Sequence, residues 1–171
     1  MWYEITNTSA PSKRELKEMK NIVNENLFSN GGQLMYKHHI DEFRTKADIM
    51  VMAKYQGHCV GFAFIRKFSE SLYVVQLAVA NNHKNKGVAT SMYDYIKQHS
   101  LGFKRLFAHV RTNNNVSQSF HFKNGFVKKE YYAGQNLLVS DIENYSAKTS
   151  FNKNKKQQVY LSFNEEEREE I

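Results

Sequence analysis

Three closely spaced stretches of β-branched and aromatic residues constrain the fold of this chain more than any other feature. They occupy residues 50–55, 58–68 and 72–79, with Gln56-Gly57 and Ser69-Glu70-Ser71 between them. Connections this short join antiparallel neighbours, because parallel strands need a crossover of a dozen or more residues. We therefore predict three consecutive antiparallel strands near the centre of the chain.

A strand at residues 2–6 and two helices are predicted before them. Ser12 and Glu15 have the spacing of a capping box, which marks a helix start. Apolar residues then recur at helical spacing: Leu16, Met19, Val23 and Leu27. The glycines at positions 31 and 32 predict the end of this helix, because glycine adopts the backbone of a helix C-terminus most cheaply. A shorter amphipathic helix is expected around positions 40, 43 and 47.

The hydrophobic period becomes helical after Gly87. One helix face carries Val88, Met92, Tyr95 and Ile96, and the helix is predicted to reach about Ser100. A strand at 105–110, a helix at 114–123 and strands at 126–132 and 159–163 follow. We predict a long polar loop at 133–158, with a weak apolar cluster at 137–139, and a frayed acidic tail at 164–171. This order predicts one α/β or α+β domain, residues 1–163, with helices on its faces.

Charge and hydropathy narrow the functional classes. The net charge is +7, and residues 165–170 contribute five Glu and one Arg; removing them leaves 23 basic and 12 acidic residues, a charge of +11. Such a surface suits a polyanionic ligand, either a phosphate-rich cofactor or a nucleic acid. No segment has the pattern of a signal peptide or the ~20 apolar residues of a membrane span. We expect a cytoplasmic protein without a membrane partner.

The segment from residue 77 to 90 is the most informative about function. A predicted strand there passes through a basic, glycine-containing loop into an amphipathic helix. Backbone amides at a helix start are free and carry partial positive charge, and Lys84 and Lys86 add full charges. Gly87 and Ala89 remove side-chain bulk where a pyrophosphate would approach the backbone. The segment predicts an anion site, and a surface turn with solvated lysines is the alternative it leaves open.

The six residues from Lys84 to Ala89 resemble the Arg/Gln-x-x-Gly-x-Gly/Ala signature of the GCN5-related N-acetyltransferase (GNAT) family. Gly87 and Ala89 match it, whereas Lys84 replaces Arg or Gln, which keeps a cation but loses a fork of donors. The resemblance implies acetyl-coenzyme A as acyl donor and a mixed, mostly antiparallel central sheet with helices on both faces. It also implies that the cofactor is bound by the strand end, the loop and the helix start: Leu77, Ala78, Val79, His83, Lys84, Asn85, Lys86, Gly87, Val88, Ala89 and Thr90.

Residues 114–126 resemble a second pattern of the same family. The pattern is an Asn, a small residue three positions on, an aromatic residue four positions later, and Gly-Phe after a further four. The resemblance implies that Asn114 and Ser117 help to hold the cofactor arm. It also implies that residue 121, often Tyr, protonates the departing thiolate; here it is His121, for which we expect a pKa near neutrality. A partly buried helix residue with a structural hydrogen bond is the alternative.

The general base is not assigned. Many family members place a Glu on the strand before the cofactor loop, and this chain has Tyr73 and Gln76 in that region, as candidates for positioning a water molecule. The implied reaction is acetyl transfer to a primary amine of a small molecule, peptide or protein. Two alternatives stay open, motivated by the basic surface and by the missing base. They are an acceptor that is an aminoacyl-tRNA or RNA-associated protein, and a non-catalytic acyl-coenzyme A-binding regulatory module.

Two further expectations concern partners. The loop at 133–158 is a candidate for acceptor recognition or for contacts in a homodimer. His38, His39 and Asp41 are close in sequence, but adjacent His side chains diverge and no ligand set with suitable spacing accompanies them. We therefore predict no metal site.

Overall fold

The structure, a computed structural model, describes residues 2–26, 28–29, 32–33, 39–100, 102–132 and 134–142. Within these residues the helices are α1 (Lys13–Glu25), α2 (His39–Lys46), α3 (Val88–Gln98) and α4 (Asn115–Lys123). The strands are β1 (Glu4–Asn7), β2 (Phe28–Ser29), β3 (Gly32–Gln33), β4 (Ile49–Tyr55), β5 (His58–Phe68), β6 (Ser71–Val79), β7 (Arg105–Arg111), β8 (Val127–Tyr132) and β9 (Gln135–Asp141). Strands β2 and β3 form a separate short hairpin.

The predicted fold class is confirmed, because the other seven strands belong to one mostly antiparallel sheet. The chain divides into two compact units, residues 1–66 with 74–96 and residues 67–73 with 97–171. The first unit holds the order β1-β4-β5-β6, and its registers align Ile5 with Ala53 and Val51 with Ala63. No helix in the described ranges is long and apolar enough to cross a membrane.

The core of the first unit joins α1 to the strands. Met19, Ile22 and Val23 of α1 are buried against apolar side chains of β4, β5 and β6. The capping box is confirmed: the Glu15 amide donates to Ser12 Oγ at 3.1 Å and the Ser12 amide donates to Glu15 Oε1 at 2.9 Å. These two bonds satisfy amides that a helix start leaves free.

The predicted end of α1 at Gly31-Gly32 is wrong. The helix ends at Glu25, and Asn26 is its C-cap. The Asn26 side chain donates to the backbone carbonyl of Ile22 at 2.8 Å, which is the kind of local bond by which Asn competes with helix continuation. A glycine pair marks a place where a helix can end at low conformational cost. This helix ends earlier, because the Asn26 side chain bonds to the carbonyls of Ile22 and Val79.

The predicted loop at 133–158 is wrong for residues 135–141, which form β9. This strand lies between β7 and β8 in the second unit, and Val139 is aligned with Phe107 on one side and Val127 on the other. Leu137, Leu138 and Val139 are all buried. A strand buried on both faces shows a short continuous apolar run and no alternation, which made it resemble an isolated cluster. The predicted strand at 159–163 and the acidic tail lie outside the described residues.

The ion pair between Glu15 and Lys54 makes an acid-sensitive contribution to stability. Hydrogen bonds from Lys54, 2.9 Å away, and from the Ser12 backbone lower the pKa of Glu15 to about 2. Since this folded-state pKa lies below the ordinary value of 4.5, the stabilisation is present above that value and is lost as the pH falls towards 2. The unfolding free energy of Glu15→Gln should therefore decrease less than that of wild type as the pH falls from 4.5 to about 2. The measurement is urea unfolding at several pH values in this range.

A matched control is Glu70→Gln, which breaks an ion pair of the same 2.9 Å length with Lys104. That pair is exposed, so its loss should change the unfolding free energy by less than about 1 kcal/mol. The same pH dependence in wild type and Glu15→Gln would contradict the prediction.

Candidate functional site

A strand-turn-helix segment in the first unit forms the main candidate site. Strand β6 ends at Val79, a short 3₁₀ turn spans Asn81–His83, and α3 begins at Val88. Asn85 and Gly87 have φ angles of 61° and 82°, in the left-handed region that favours glycine. A Cβ built at Gly87 would have no atom within 4 Å, so the backbone there is open to an approaching group.

The backbone amides of this segment divide into two groups. The amides of His83 and Lys84 donate to the carbonyls of Ala80 and Asn81, at 2.9 and 3.3 Å. The Ser91 amide makes the first turn of α3 by donating to the Gly87 carbonyl at 2.9 Å. The amides just before Ser91, at positions 88–90, therefore precede the helical ladder and carry its positive partial charge. The sequence analysis expected the phosphate-binding amides to begin at His83. In the structure the His83 and Lys84 amides are already hydrogen-bonded, and the amides outside the helical ladder are those at positions 88–90.

The C-terminus of α1 holds this segment in place. Glu25 Oε2 accepts the Asn81 amide at 3.0 Å, and Asn26 Nδ2 donates to the Val79 carbonyl at 3.1 Å. Lys84 Nζ donates to Asn26 Oδ1 at 2.6 Å. Sequence analysis missed Glu25 and Asn26, because their partners lie more than fifty residues away and no local pattern links them. Lys84 stands where the signature has Arg or Gln. Besides its charge, it therefore has a hydrogen bond that ties the loop to the end of α1.

His83 packs against aromatic side chains, and its backbone amide is not one of the amides outside the helical ladder. Its Nδ1 is hydrogen-bonded to the Tyr3 hydroxyl at 3.0 Å, and its ring lies 5.7 and 5.3 Å from those of Tyr3 and Tyr55. Burial, and then the positive charge of Lys86, lower its pKa below the ordinary value. The neutral imidazole anchors the turn from the side of β1 and β4. Lys86 is exposed and supplies a positive charge at the loop.

In the second unit, Asn114 is the N-cap of α4. Its Oδ1 accepts the Ser117 amide at 3.2 Å, and its backbone carbonyl accepts the Gln118 amide at 3.0 Å. The side-chain oxygen is therefore engaged in capping, and the side-chain NH₂ is the part of Asn114 that suits a ligand carbonyl. Gln118 and Asn136 join α4 to β9 through a 3.0 Å bond between their side chains.

His121 differs from its predicted state. Its side chain is only 5% exposed. Burial lowers its pKa to about 4, and the positive charge of Lys97 also lowers it. Nδ1 donates to the Ser117 carbonyl at 2.7 Å, and the ring packs edge-on against Phe126 at 4.9 Å. The expected pKa near neutrality is wrong, because desolvation outweighs the hydrogen bond to Ser117. A neutral imidazole whose ring proton is already donated is a poor general acid.

Lys97 is a buried lysine that sequence analysis also missed. Its Nζ donates to Ser140 Oγ at 2.6 Å and to the Asn124 carbonyl at 3.2 Å, and it lies 5.3 Å from the Phe126 ring centre. The bond to Asn124, the C-cap of α4, places a cation where the helix dipole is negative. This lysine fixes the end of α4 beside His121.

The two candidates on β6 have different surroundings. The Tyr73 hydroxyl is hydrogen-bonded to Nδ1 of His109 on β7 at 2.8 Å, and burial raises the Tyr73 pKa. Gln76 is partly buried on the same strand. Sequence analysis named Tyr73 but not His109, since a contact between strands 36 residues apart has no local signal.

Comparisons with known proteins bear on the family and on the fold. The model of the Acetyltransferase (GNAT) family matches residues 16–126 of the chain. No curated protein matches its sequence. Among solved structures, the chain is similar to the ribosomal-protein alanine N-acetyltransferase of Escherichia coli, with 13% identity and a TM-score of 0.67 over 83% of this chain and 95% of that one.

Two further similar structures contain coenzyme A. The PaiA N-acetyltransferase of Thermoplasma acidophilum, in complex with coenzyme A, has 14% identity and a TM-score of 0.69 over 82% of this chain and 99% of that one. An aminoglycoside 6′-N-acetyltransferase complexed with coenzyme A has 10% identity and a TM-score of 0.69 over 81% of this chain and 97% of that one. At these identities the likeness shows the fold.

The buried, neutral state of His121 should make the protein sensitive to moderate acid. Its folded-state pKa of about 4 lies below the ordinary 6.5, so between these values the unfolded chain binds a proton that the folded protein does not. The unfolding free energy should therefore decrease as the pH falls from about 6.5 to about 4. His121→Gln, measured by urea unfolding at several pH values, should lose this part of the dependence. Parallel curves for variant and wild type would refute it.

Proposed function

This chain belongs to the GNAT family of acetyltransferases, and from that premise we propose that it transfers the acetyl group of acetyl-coenzyme A to a primary amine. The acceptor we propose is a small molecule, peptide or protein. The observation that carries the proposal is the start of α3, where amides outside the helical ladder, the open backbone of Gly87 and the charge of Lys86 lie together. This combination suits a pyrophosphate.

The residues present fit such a cofactor. A pyrophosphate needs several donors at one place and close access to the backbone, which positions 87–90 offer. Leu77, Ala78 and Val79 on β6 precede the turn, and Asn26 already occupies the Val79 carbonyl. We assign the backbone of Leu77, Ala78 and Val79 to the cofactor arm, on the resemblance of this strand to the one before the family's loop. We also assign Asn114 and Ser117 to the arm, on the resemblance of residues 114–126 to the family pattern.

Acetyl-coenzyme A, when bound, supplies an acetyl group activated as a thioester. The chain must hold the thioester still, exclude water from it and accept a proton from the amine, because only a neutral amine is a nucleophile. The amides at the start of α3 and Lys86 bind the phosphates. The neutral His121 positions the end of α4 and gives no proton to the thiolate, so we propose that the thiolate is protonated by solvent. Tyr73 and Gln76 on β6 remain the candidates for positioning a water molecule.

The direct test is calorimetry with acetyl-coenzyme A followed by a turnover assay. Free thiol would be measured with three acceptor probes: a peptide with an N-terminal alanine, an aminoglycoside and a short diamine. We expect binding and sustained thiol release with at least one probe. No binding by folded protein at about 1 mM cofactor would overturn the proposal. Binding without turnover of any probe would favour a regulatory module instead.

Gly87→Ala should weaken cofactor binding. Its φ of 82° costs an alanine about 1–2 kcal/mol, so the loop would relax away from this backbone and the new methyl group would fill the open approach. We expect about tenfold weaker binding of acetyl-coenzyme A by calorimetry, the equivalent of about 1.4 kcal/mol.

Gly57→Ala is a matched control for that variant. Gly57 has a φ of 79° and also has no atom within 4 Å of a built Cβ, but it lies in the turn between β4 and β5. It should show the same loss of stability and an unchanged affinity. Equal affinity of the two variants would contradict the assignment of Gly87 to the cofactor site.

A further inference from the structure

The His83 imidazole is held by two tyrosines of the first unit, where the candidate cofactor loop begins. Its Nδ1 is 3.0 Å from the Tyr3 hydroxyl, and the rings of His83 and Tyr3 meet edge-on with centres 5.7 Å apart. The Tyr55 ring lies 5.3 Å from the imidazole, and the two tyrosine rings are themselves 5.7 Å apart. Because β1 and β4 pair directly, two neighbouring strands fix the position of this imidazole.

The bond to Tyr3 decides which imidazole nitrogen carries the ring proton. A neutral imidazole has one nitrogen that accepts a hydrogen bond and one that donates, and a phenol hydroxyl is a good donor. The Tyr3 hydroxyl therefore donates to Nδ1, and the ring proton of His83 lies on Nε2. Among the residues that the structure describes, Nε2 has no hydrogen-bond partner. The His83 side chain is partly exposed, so this N–H is a donor available to a ligand.

The charges near this ring favour an anionic ligand. Burial, and then the positive charge of Lys86, lower the pKa of His83 below its ordinary value, so the ring is uncharged at neutral pH. The other titratable groups on the elements packed here are Tyr3 and Glu4 on β1, Lys54 and Tyr55 on β4, Lys84 in the loop and Glu25 at the end of α1. A phosphate group bound at the loop opposes the effect of Lys86 and favours the charged imidazolium.

We propose that the His83 side chain binds a phosphate group of coenzyme A through its Nε2–H and takes up a proton as the cofactor binds, an inference that rests on the proposed cofactor site. The proton comes from solvent and adds to Nδ1, which then donates to the Tyr3 oxygen, while the phenolic hydrogen turns away. Tyr3 is a positioning residue that keeps Nε2–H as the outward donor. Cofactor affinity should increase as the pH falls from the His83 pKa of the complex to the lower pKa of the free protein.

The test is calorimetry with acetyl-coenzyme A in two buffers of different ionisation enthalpy, which counts the protons taken up on binding. At about pH 6, wild type should take up about half a proton more than His83→Phe, and at about pH 9 this difference should vanish. The 3′-phosphate of the cofactor also titrates near about pH 6, but both proteins share it, so it cancels in the difference. His83→Phe keeps the aromatic packing without the donor and should bind about tenfold more weakly at about pH 6. His83→Gln, which keeps an N–H donor and does not titrate, should also lose the extra proton uptake.

Two further variants separate the positioning role of Tyr3 from a general loss of structure. Tyr3→Phe keeps the ring contacts without the hydroxyl, so it should retain the proton uptake and weaken binding only about twofold to threefold. His58→Phe is the matched control, because His58 is an exposed histidine of the same unit whose Nδ1 is hydrogen-bonded to Glu18. It should keep both the affinity and the proton uptake of wild type.

A cofactor analogue identifies the phosphate that His83 contacts. With acetyl-dephospho-coenzyme A, which lacks the 3′-phosphate, the extra proton uptake persists if the contact is with the pyrophosphate and is lost if it is with the 3′-phosphate. Equal affinity and equal proton uptake in wild type and His83→Phe would overturn the inference and leave the cofactor site intact. Absence of acetyl-coenzyme A binding by folded wild-type protein would instead overturn the proposed function, and this inference with it.

Discussion

The Asn26 side chain makes the contacts on which the candidate site depends most. One buried amide group donates to the carbonyls of Ile22 and Val79 and accepts from Lys84 Nζ. These three bonds end α1, fix the last residue of β6 and hold the loop that precedes α3. A buried amide with all its partners contributes about 1 kcal/mol per bond, whereas a partner left unpaired costs about 1–3 kcal/mol. The geometry of the loop is therefore specified by an element that lies far from it in sequence.

Burial decides the chemistry of the histidines near both motifs. His83 and His121 have lowered pKa values, and in each case desolvation is the largest cause. Each is also hydrogen-bonded through Nδ1, His83 to Tyr3 and His121 to the Ser117 carbonyl. Both are neutral anchors for a turn or a helix. The positive charge in this segment lies at the start of α3 and on exposed lysines such as Lys86. His109 lies outside both motifs. It is exposed, and its Nδ1 is hydrogen-bonded to the Tyr73 hydroxyl.

Much of the fold follows from local patterns. The strands β4, β5 and β6 were predicted within a residue, since short turns between apolar stretches allow one pairing. The start of α1 was predicted because a capping box is a local interaction. The end of α1 and strand β9 were not, because both depend on partners distant in sequence: Val79 for Asn26, and two flanking strands for residues 137–139. A periodic pattern reports a residue's neighbours on its own element and not the surfaces that cover it.

The sequence by itself determined the class of fold and the resemblance of Lys84 to Ala89 to the family signature, since hydrophobic period, short turns and a six-residue signature are local properties. It also placed Asn114 at the start of α4, where that side chain caps the helix. Only the tertiary structure decided that His121 is neutral, that Lys84 is bonded to Asn26 and that Tyr73 meets His109. The reason is physical: a pKa and a hydrogen-bond partner depend on desolvation and on groups brought together by packing, which no spacing in the chain encodes.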